Sequence, residues 1–397
     1  MQTDERVPQL TAAEKPPWYR DIRVLRVIVQ VVIVGGVVAI AAFFIGNMVV
    51  NMQRLGISLG LDYLTQPAEF TIPGSDFERT GTRLEAVLVG VGNTFRIAIA
   101  GIFFATILGV LLGIARLSKN WLVSTGARLY VEFFRNIPVL VIIIFAYLVI
   151  FLDTRIFPRF EQAREIGPFI IYVRGVFFPW YESQANFFPW VVIMLVGVVA
   201  GVFVGRWRER VSEKTGASAL SLLWGLGTFL AFAVIGFLAL GGPASVTIPG
   251  FEGQVVVGGI RVSPEYSALL ISLVLYTASH IAEITRGSIQ AVSKGQQEAA
   301  TALALSSPQR IRYVILPQAF RVAIPPLANQ YLSLTKNSSL AVAIAYYEVT
   351  KVTTDIIGNG GPAPQSFLVL MVIYLIISLI IAALSNVVNR RLALVER

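Results

Sequence analysis

The sequence predicts an all-α, polytopic membrane protein with about eight transmembrane helices. Only 14% of the 397 residues are charged, against about 25% in soluble globular proteins, while 55% are hydrophobic and the mean hydropathy is +0.71. So few charged groups do not cover a folded surface in water. Long uncharged runs recur along the chain, and a helix of ~20 apolar residues crosses the hydrocarbon core of a bilayer.

The apolar runs are expected to be the transmembrane helices. The eight runs cover residues 27–50, 88–115, 129–152, 187–204, 219–240, 266–284, 327–345 and 367–388. The first run follows three arginines, as the apolar part of a signal peptide does, but it is longer than such a part and no small-residue cleavage site follows it. We therefore expect it to remain as a membrane anchor.

Lysine and arginine are distributed unevenly between the connecting segments. One set of alternating segments, which includes both termini, contains 20 of these residues, and the other set contains 9. Cytoplasmic segments of membrane proteins are enriched in positive charge. We therefore expect both termini, and the segment between the sixth and seventh spans, to be cytoplasmic.

Composition excludes several kinds of chemistry. The chain has no cysteine, so it has no disulfide or thiolate metal site, and its one histidine, His280, cannot form a histidine cluster. The net charge of +9 would suit nucleic acid, but the charges lie between apolar runs rather than on a folded polar face. No Gly-Lys dipeptide occurs, so the phosphate-binding loop of an ATPase is missing. We expect no catalytic residues, metal or cofactor on this chain.

Two local patterns predict close contacts. Residues 255–262 read Val-Val-Val-Gly-Gly-Ile-Arg-Val, which is typical of a tight β-hairpin with Gly258 and Gly259 in the turn. In the fourth span, Gly197, Gly201 and Gly205 recur at every fourth position. This spacing allows another helix to approach closely, although glycine is also frequent in membrane helices in general, and the sequence leaves both interpretations open.

The segment between the sixth and seventh spans is predicted to form two short helices. Residues 296–305 lack glycine and proline and are rich in alanine and leucine, which favours a helix. Ser307 offers a capping hydroxyl and Pro308 suits the first helical position, so a second helix is expected to begin there and to end before Pro317. Such a pair either receives a partner protein or lies on the lipid headgroups.

Residue order in this segment favours the partner protein. Glu298-Ala299-Ala300 is followed, nineteen residues after Glu298, by Pro317, and this spacing resembles the EAA motif of ABC importer permeases. Where that family usually has glycine, at the seventh motif position, this chain has Ala304. Other stretches resemble the polar amino-acid branch (histidine, glutamate, glutamine and arginine uptake), and in detail the larger permease subunits of general L-amino-acid and glutamate/glutamine/aspartate/asparagine systems. They are Gly92-Asn93-Thr94, residues 116–121, residues 132–138, Ala282-Glu283, Arg286-Gly287 and residues 336–340.

The resemblance implies a type I ABC importer transmembrane fold. It predicts a core of five helices, one additional N-terminal helix and an inserted helix pair at 187–240. The domain bounds that follow are a cytoplasmic N-terminus at 1–26, a first transmembrane helix with an external loop at 27–87, a permease domain at 88–388 and a cytoplasmic tail at 389–397. Within the permease domain, the EAA-like segment comprises residues 294–317.

The resemblance also implies function and partners. The chain is expected to be the permease subunit of an ATP-driven amino-acid uptake system in a bacterial inner membrane. Its partners would be an ABC ATPase subunit that binds ATP and Mg, a second permease subunit in a heterodimer, and a periplasmic or lipid-anchored amino-acid-binding protein. The residues expected to couple to the ATPase are Glu298, Ala299, Ala300, Ala304, Arg310, Arg312 and Pro317.

Polar residues inside apolar spans are candidates for the solute path, because an unpaired charge at mid-bilayer costs ~2.5 to 3.5 kcal/mol. The expected path residues are Asn93, Thr94, Asn136, Lys336, Asn337, Ser338 and Ser339. Lys336 either lines this path or anchors the partner subunit. Arg135 is expected to pair with Glu132. Arg96 either reaches the headgroups or faces an anionic solute, and His280 is expected to be a hydrogen-bonded structural residue.

Two other function classes fit the sequence less well. An ion- or proton-coupled secondary carrier often has two similar halves with broken helices at matching positions, and no such halves are visible. A carrier would also leave the EAA-like segment without a role. A membrane-embedded enzyme is disfavoured because there is no zinc-binding His-Glu-x-x-His motif and no pair of intramembrane aspartates.

Overall fold

A computed structural model describes residues 17, 19–54, 56, 60–183, 186–216 and 220–392. The chain divides into two compact units, which are Met1–Leu64 with Pro362–Gln365, and Thr65–Gly361 with Ser366–Arg397. The first unit contains helix α1 (Ile22–Arg54), which includes the predicted first span. No residue in the most apolar window of α1 is buried, as expected for a helix that faces lipid.

The rest of the described chain is mainly helical. Its helices are α2 (Arg83–Ala115), α3 (Trp121–Asn136), α4 (Val139–Phe145), α5 (Phe187–Thr215), α6 (Ser221–Ala239), α7 (Pro264–Gln290), α8 (Lys294–Ala302), α9 (Ser307–Arg310), α10 (Leu316–Asn337), α11 (Val349–Gly358) and α12 (Ala363–Leu392). Two π-helical segments, Ala146–Phe151 and Ile311–Ile315, extend α4 and α9, and a 3-10 segment, Ser338–Ile344, follows α10. The predicted fold class, a helical polytopic membrane protein, is confirmed.

The described helices differ from the eight predicted spans at two places. Six helices, α1, α2, α5, α6, α7 and α12, are long and apolar enough to cross a membrane, and α3 with Val139–Phe151 makes a seventh if this pair is one span. That pair is bent by 99°, because Pro138 follows α3 and cannot continue its hydrogen-bond ladder. The predicted span 327–345 is not among the seven, because the polar residues in the second half of α10 interrupt its apolar run.

Helices α2 and α7 form the centre of the second unit, with α10 against α7. Two glycines of α2 make this contact possible. A Cβ atom on Gly109 would lie 2.6 Å from Cβ of Ile281, and one on Gly113 would lie 2.6 Å from Cβ of Thr285. In a bilayer, such close backbone approach replaces hydrophobic burial as the source of helix association.

The inserted helices α5 and α6 pack mainly on each other. A Cβ atom on Gly197 would lie 2.6 Å from Cβ of Phe232, and one on Gly201 would lie 2.6 Å from the Gly225 carbonyl oxygen. Of the two interpretations of the glycine spacing, the structure therefore supports close helix approach, and α6 is the helix that approaches.

The described residues between α4 and α7 include eight short strands. A four-stranded antiparallel sheet has the order β1 (Arg164–Ile166), β2 (Phe169–Tyr172), β3 (Gly175–Phe178) and β8 (Ile260–Val262). Two further antiparallel pairs are β4 (Trp180–Ser183) with β5 (Ala244–Thr247), and β6 (Gly250–Glu252) with β7 (Val255–Val257). The strands before and after the inserted helices are thus paired with each other.

The predicted hairpin at 255–262 is wrong in its pairing. Strand β7 pairs with the strand before it, β6. Strand β8 pairs with β3, which precedes the inserted helices. Gly258 and Gly259 do take positive φ angles, +79° and +67°, as a tight turn requires. These two glycines connect β7, in one sheet, to β8, in another. The local sequence does not show this, because the strand that pairs with β8 is β3, which is distant in the chain.

Candidate functional site

The EAA-like segment is held as two short helices joined by a bend. Helix α8 ends at Ala302, and α9 begins with Ser306 as its cap, where the Ser306 backbone N–H donates to Gln309 Oε1 at 2.9 Å in a capping box. The predicted cap, Ser307, is therefore one residue too late. The predicted end before Pro317 is also wrong, because the π-helical segment leads directly into α10 and places Pro317 in its first turn, where proline is tolerated.

The bend contains a residue in an unfavourable backbone conformation. Ala304 has φ of +55°, in the left-handed region that costs a residue with a Cβ roughly 1 to 2 kcal/mol. This is the motif position at which glycine is usual in the resembled family, and glycine adopts this conformation freely. The positive φ angle gives a physical reason for glycine at this motif position. In this chain Ala304 adopts the same conformation, with a strained backbone.

Five of the seven residues predicted for coupling are exposed at this bend or beside it. Glu298 and Ala299 are exposed, whereas Ala300 faces inward and is 2% exposed. Arg310 donates to Thr301 Oγ1 at 2.9 Å, which ties α9 to α8. Gln297, Glu298, Thr301, Ala302 and Arg310 line a shallow groove of about 360 Å³. Among the other predicted residues, Arg312 lies over the Tyr313 ring at 5.7 Å, and Pro317 is exposed.

Two apolar side chains that the motif did not predict accompany the charged residues. Leu303, at the tip of the bend, is 74% exposed, and Tyr313, on the π-helical segment, is 62% exposed. Large apolar residues in such positions are typical anchors of a protein interface. An apolar residue beside the glycine position of the motif was the available sequence signal for Leu303.

The predicted path residues of α10 and the 3-10 segment divide into exposed and buried groups. The side chain of Lys336 is exposed and has no hydrogen-bond or ion-pair partner among the described residues. It shares one helix face with exposed Asn329 and Ser333, at spacings of seven and three residues. Ser338 is completely buried and donates to the Thr335 carbonyl at 2.7 Å, so it braces the helix end instead of lining an open surface.

The two remaining members of this group are intermediate in solvent exposure. Asn337 is half-buried, and Ser339 donates to the Lys336 carbonyl oxygen at 2.8 Å. The structure therefore presents Lys336 as the outward-facing polar group of the segment, and its neighbours mainly satisfy the backbone where α10 ends.

Asn93 and Thr94 hold a buried turn between the 3-10 segment and α11. The Asn93 amide donates to the Tyr347 carbonyl oxygen at 2.8 Å, and Thr94 Oγ1 accepts from the Val349 backbone N–H at 3.2 Å. Both predicted path residues are thus used to fix α2 to this turn.

Glu348, in the same turn, is a buried carboxylate that the sequence reasoning missed. It is 0% exposed and caps α11 by accepting from the backbone N–H groups of Thr350 and Lys351 at 2.8 and 3.1 Å. The Tyr374 hydroxyl also donates to it, at 2.8 Å. Only such hydrogen bonds make burial of a carboxylate tolerable. A glutamate directly before a helix was the signal that pattern reading did not use.

Asn136 lies at the break after α3 and is exposed. A wide groove of about 720 Å³ runs along this side of α3, lined by Leu129, Tyr130, Glu132, Phe133, Asn136 and Ile137. Within the described chain, no hydrogen bond joins Asn136 to the Lys336 region. Helix α4 packs against the 3-10 segment, so the two predicted path regions are neighbours through apolar packing only.

Comparison with known proteins identifies the family. Residues 197–394 match the family described as binding-protein-dependent transport system inner membrane component. The chain is 38% identical to the general L-amino acid transport system permease protein AapQ of Rhizobium johnstonii, over 96% of this chain and 94% of the relative. This chain belongs to that permease family. The permease function predicted from the EAA-like spacing is thereby confirmed.

Other relatives of this permease have similar descriptions. It is 37% identical to the putative amino-acid ABC transporter permease protein YhdX of Escherichia coli, over 93% of this chain and 94% of the relative. It is 32% identical to the glutamate/glutamine/aspartate/asparagine transport system permease protein BztB of Rhodobacter capsulatus, over 95% and 96% of the two chains. A solved crystal structure of an amino acid ABC transporter with histidines is similar at 16% identity and a TM-score of 0.46, covering 78% of this chain and 94% of the other. The secondary-carrier alternative receives no support from these relatives.

A charged cluster ties three helices of the permease together. Glu283 of α7 forms ion pairs with Arg116, which follows α2, and with Arg286, and Arg135 of α3 lies 3.8 Å from it. The predicted Arg135–Glu132 pair is wrong, since Arg135 turns toward the carboxylate that two other arginines already approach. Three guanidinium groups thus surround one carboxylate, and the cluster as a whole is positively charged.

His280 lies one turn before Glu283 on α7. Its ring meets Tyr276 edge to face at 4.8 Å, but its Nε2 atom is buried without a hydrogen-bond partner among the described residues. The predicted structural role fits the packing, whereas the predicted hydrogen bond is wrong.

Proposed function

We propose that this permease is the membrane-spanning subunit of an ATP-driven amino-acid uptake system and that it couples to a separate ATPase subunit through the EAA-like segment. The descriptions of its relatives support amino acids as the solute class. The observation that carries the coupling role is the bend at Ala304, which presents Glu298 and Leu303 on one exposed, ordered surface.

The chemistry of this surface fits a protein partner better than lipid headgroups. Leu303 and Tyr313 offer apolar anchors, and Glu298 lines a shallow groove on the same segment. The exposed charged residues of the segment are Lys294, Glu298 and Arg312, so the surface carries both signs of charge, which suits the orientation of a protein partner.

The arrangement of partners follows from this surface and from the charge distribution. The EAA-like segment and both termini are placed in the cytoplasm by the excess of positive charge on that side. ATP and Mg bind to the ATPase subunit, and closure of its two copies pushes the EAA-like segment. A second permease subunit completes the pore as a heterodimer, and an external amino-acid-binding protein delivers the solute.

Within the pore, the predicted path residues have two roles. Lys336, Asn337 and Asn136 are the exposed or half-exposed members, and they offer donors and acceptors to a zwitterionic solute. The other members brace the path, since Ser338 and Ser339 donate to backbone carbonyls and Asn93 and Thr94 fix the turn before α11.

The test is a charge reversal on the docking surface. Glu298→Lys should leave the permease inserted in the membrane, because the side chain is exposed and has no partner among the described residues. Affinity for the ATPase subunit should fall about tenfold, which corresponds to ~1.4 kcal/mol, and uptake should fall with it. Co-purification with the ATPase and solute-stimulated ATP hydrolysis in proteoliposomes are the measurements.

The control is Glu213→Lys, which makes the same charge reversal at the end of α5, also exposed and predicted to lie on the same side of the membrane. It should behave like the wild-type protein. Normal co-purification and full solute-stimulated ATP hydrolysis by Glu298→Lys would contradict the docking role of this surface.

A further inference from the structure

Arg96 is a cation within an apolar span, and no described carboxylate pairs with it. It lies about 20 Å along α2 from Arg83, at 1.5 Å per residue. Its side chain is exposed, and α2 has no other ionisable residue from Ala86 to Ala115. A charged residue at such a position is expensive unless a ligand, a cavity or a partner compensates it.

Residues from three elements converge around Arg96. Because Gly109 of α2 packs level with Ile281 of α7, counting thirteen residues back along both helices places Arg96 level with the first turn of α7. Tyr266 of that turn and Tyr346, which follows the 3-10 segment, have ring centroids 5.9 Å apart. Arg96 donates to Asn93, and Asn93 donates to the carbonyl oxygen of Tyr347, the residue that follows Tyr346.

Asn93 completes the group and is itself held in place. Its side-chain nitrogen donates to the Tyr347 carbonyl oxygen at 2.8 Å, so its oxygen is turned toward Arg96 and accepts from Nη1 at 3.4 Å. This single long hydrogen bond leaves most of the guanidinium donors unused.

The two carboxylates of the adjoining segments are already occupied. Glu265, in the first turn of α7, accepts from the Tyr147 hydroxyl at 3.3 Å. Glu348 is completely buried and accepts from α11 backbone groups and from Tyr374. The described residues therefore assemble a cation, two phenols and an oriented amide, and none of them supplies the anion that this set of groups would bind.

We propose that Arg96 binds a carboxylate group of the transported amino acid, with Tyr266 and Tyr346 beside it as hydroxyl donors. The proposal rests on the amino-acid uptake function proposed above. A guanidinium with free donors suits a carboxylate because it offers two parallel hydrogen bonds in one plane. The carboxylate is either the α-carboxylate, which every amino acid has, or the side-chain carboxylate of an acidic amino acid, and uptake measurements separate the two.

The experiment measures uptake of L-glutamate and L-glutamine by the complete transporter in proteoliposomes. Glutamine replaces only the side-chain carboxylate of glutamate by an amide. If Arg96 binds the side-chain carboxylate, Arg96→Leu should raise the KM for glutamate at least tenfold and leave that for glutamine unchanged. If it binds the α-carboxylate, both KM values should rise together. Arg96→Lys should recover part of the loss in either case, because it keeps the charge and loses the paired geometry.

Two further variants keep the outcome interpretable. Arg174→Leu removes the same charge from an exposed loop and should leave both KM values unchanged. Tyr346→Phe removes one hydroxyl while keeping the ring contact with Tyr266, and it should raise the KM of the affected solute severalfold even if Arg96→Leu does not assemble.

The inference is overturned if Arg96→Leu transports both solutes as the wild-type protein does, or if Arg96→Lys and Tyr346→Phe both leave the KM values unchanged. It is also overturned if Arg96→Leu loses only its partner permease subunit, since Arg96 would then pair across the subunit interface. Failure of the wild-type transporter to take up any amino acid would instead contradict the proposed function itself.

Discussion

Helix α7 and the inserted helix α6 are both candidate spans, yet their surroundings are opposite. In the most apolar window of α7, 56% of the residues are buried within the protein, against 6% in that of α6. Helix α7 carries Glu283 and His280, whereas α6 has no ionisable residue. Polar groups are thus found on the span that protein surrounds, where partners offset the cost of removing them from water.

The difference indicates which helices we expect to take part in uptake. Helix α7 contacts α2, α3, α4 and α10, so under the proposed coupling role a displacement of the EAA-like segment would reach several helices at once. The helices α5 and α6 pack mainly on each other through glycines. We therefore expect changes in the core to affect stability and uptake together, and changes in the inserted pair to affect stability alone.

The largest expected effect is loss of the Glu283 cluster. Glu283→Gln leaves Arg116, Arg135 and Arg286 close together without a carboxylate. We expect the free energy of unfolding to fall by about 3 kcal/mol. This value is at the low end of the range for breaking a buried ion pair, since these side chains are partly exposed. Uptake should be lost as well. Reversible unfolding in mixed detergent micelles measures the first effect and proteoliposome uptake the second.

The control for this cluster is the double variant Glu283→Gln with Arg116→Gln, which removes one of the crowded cations and should recover part of the stability. Ordinary surface substitutions change the free energy of unfolding by less than about 0.5 kcal/mol. If the single variant stays within that range of the wild-type protein, the cluster does not stabilise the core, and the contrast with the inserted pair has no electrostatic basis.

A pair of glycine substitutions tests the contrast directly. Gly109→Ala and Gly197→Ala each place a Cβ atom 2.6 Å from a neighbouring side chain, Ile281 in the core and Phe232 in the inserted pair. Each should cost about 2 kcal/mol of stability through overpacking. Only Gly109→Ala should also lower uptake. Gly35→Ala in α1, where no atom lies within 4 Å, is the neutral control. An equal loss of uptake in both variants would show that the inserted pair participates in transport.

The smallest expected effect is at the bend of the EAA-like segment. Ala304→Gly relieves the left-handed strain and adds flexibility to the unfolded chain, for a net gain of about 0.5 to 1 kcal/mol in local stability. Amide hydrogen exchange of α8 should slow accordingly. Ala302→Gly, two residues earlier and within the helix, should have the opposite sign. Faster exchange in Ala304→Gly would mean that the alanine is not strained.

Several elements were predictable because their signal is local. The apolar runs located six helical spans, since length and lack of charge are sufficient for that purpose. The EAA-like segment was predicted as two helices with a bend, from composition and a capping serine. Its cap was misplaced by one residue because Ser306 and Ser307 are adjacent and equally able to cap.

Other features depend on partners far away in sequence. The register of β8 is set by β3, which lies more than eighty residues earlier, and local turn residues do not reveal such a partner. Arg135 was assigned to its neighbour Glu132, whereas three-dimensional packing brings Glu283 to it. The candidate site was predicted at the level of residue type, but the division into exposed Lys336 and buried Ser338 needed the packing of α10.

The pairing of β3 with β8 also shows where the inserted helices join the rest of the protein. Phe178 and Ile260 are direct partners across that ladder, so the chain leaves for the inserted helices and returns at the same place, one strand spacing of about 4.8 Å away. A two-residue turn between these positions would close an ordinary hairpin. We therefore expect replacement of residues 179–259 by such a turn to uncover the contacts of Val256 with the sheet and of Phe251 with Phe160, but to leave the contacts of α2 with α7 at Gly109 and Gly113 in place.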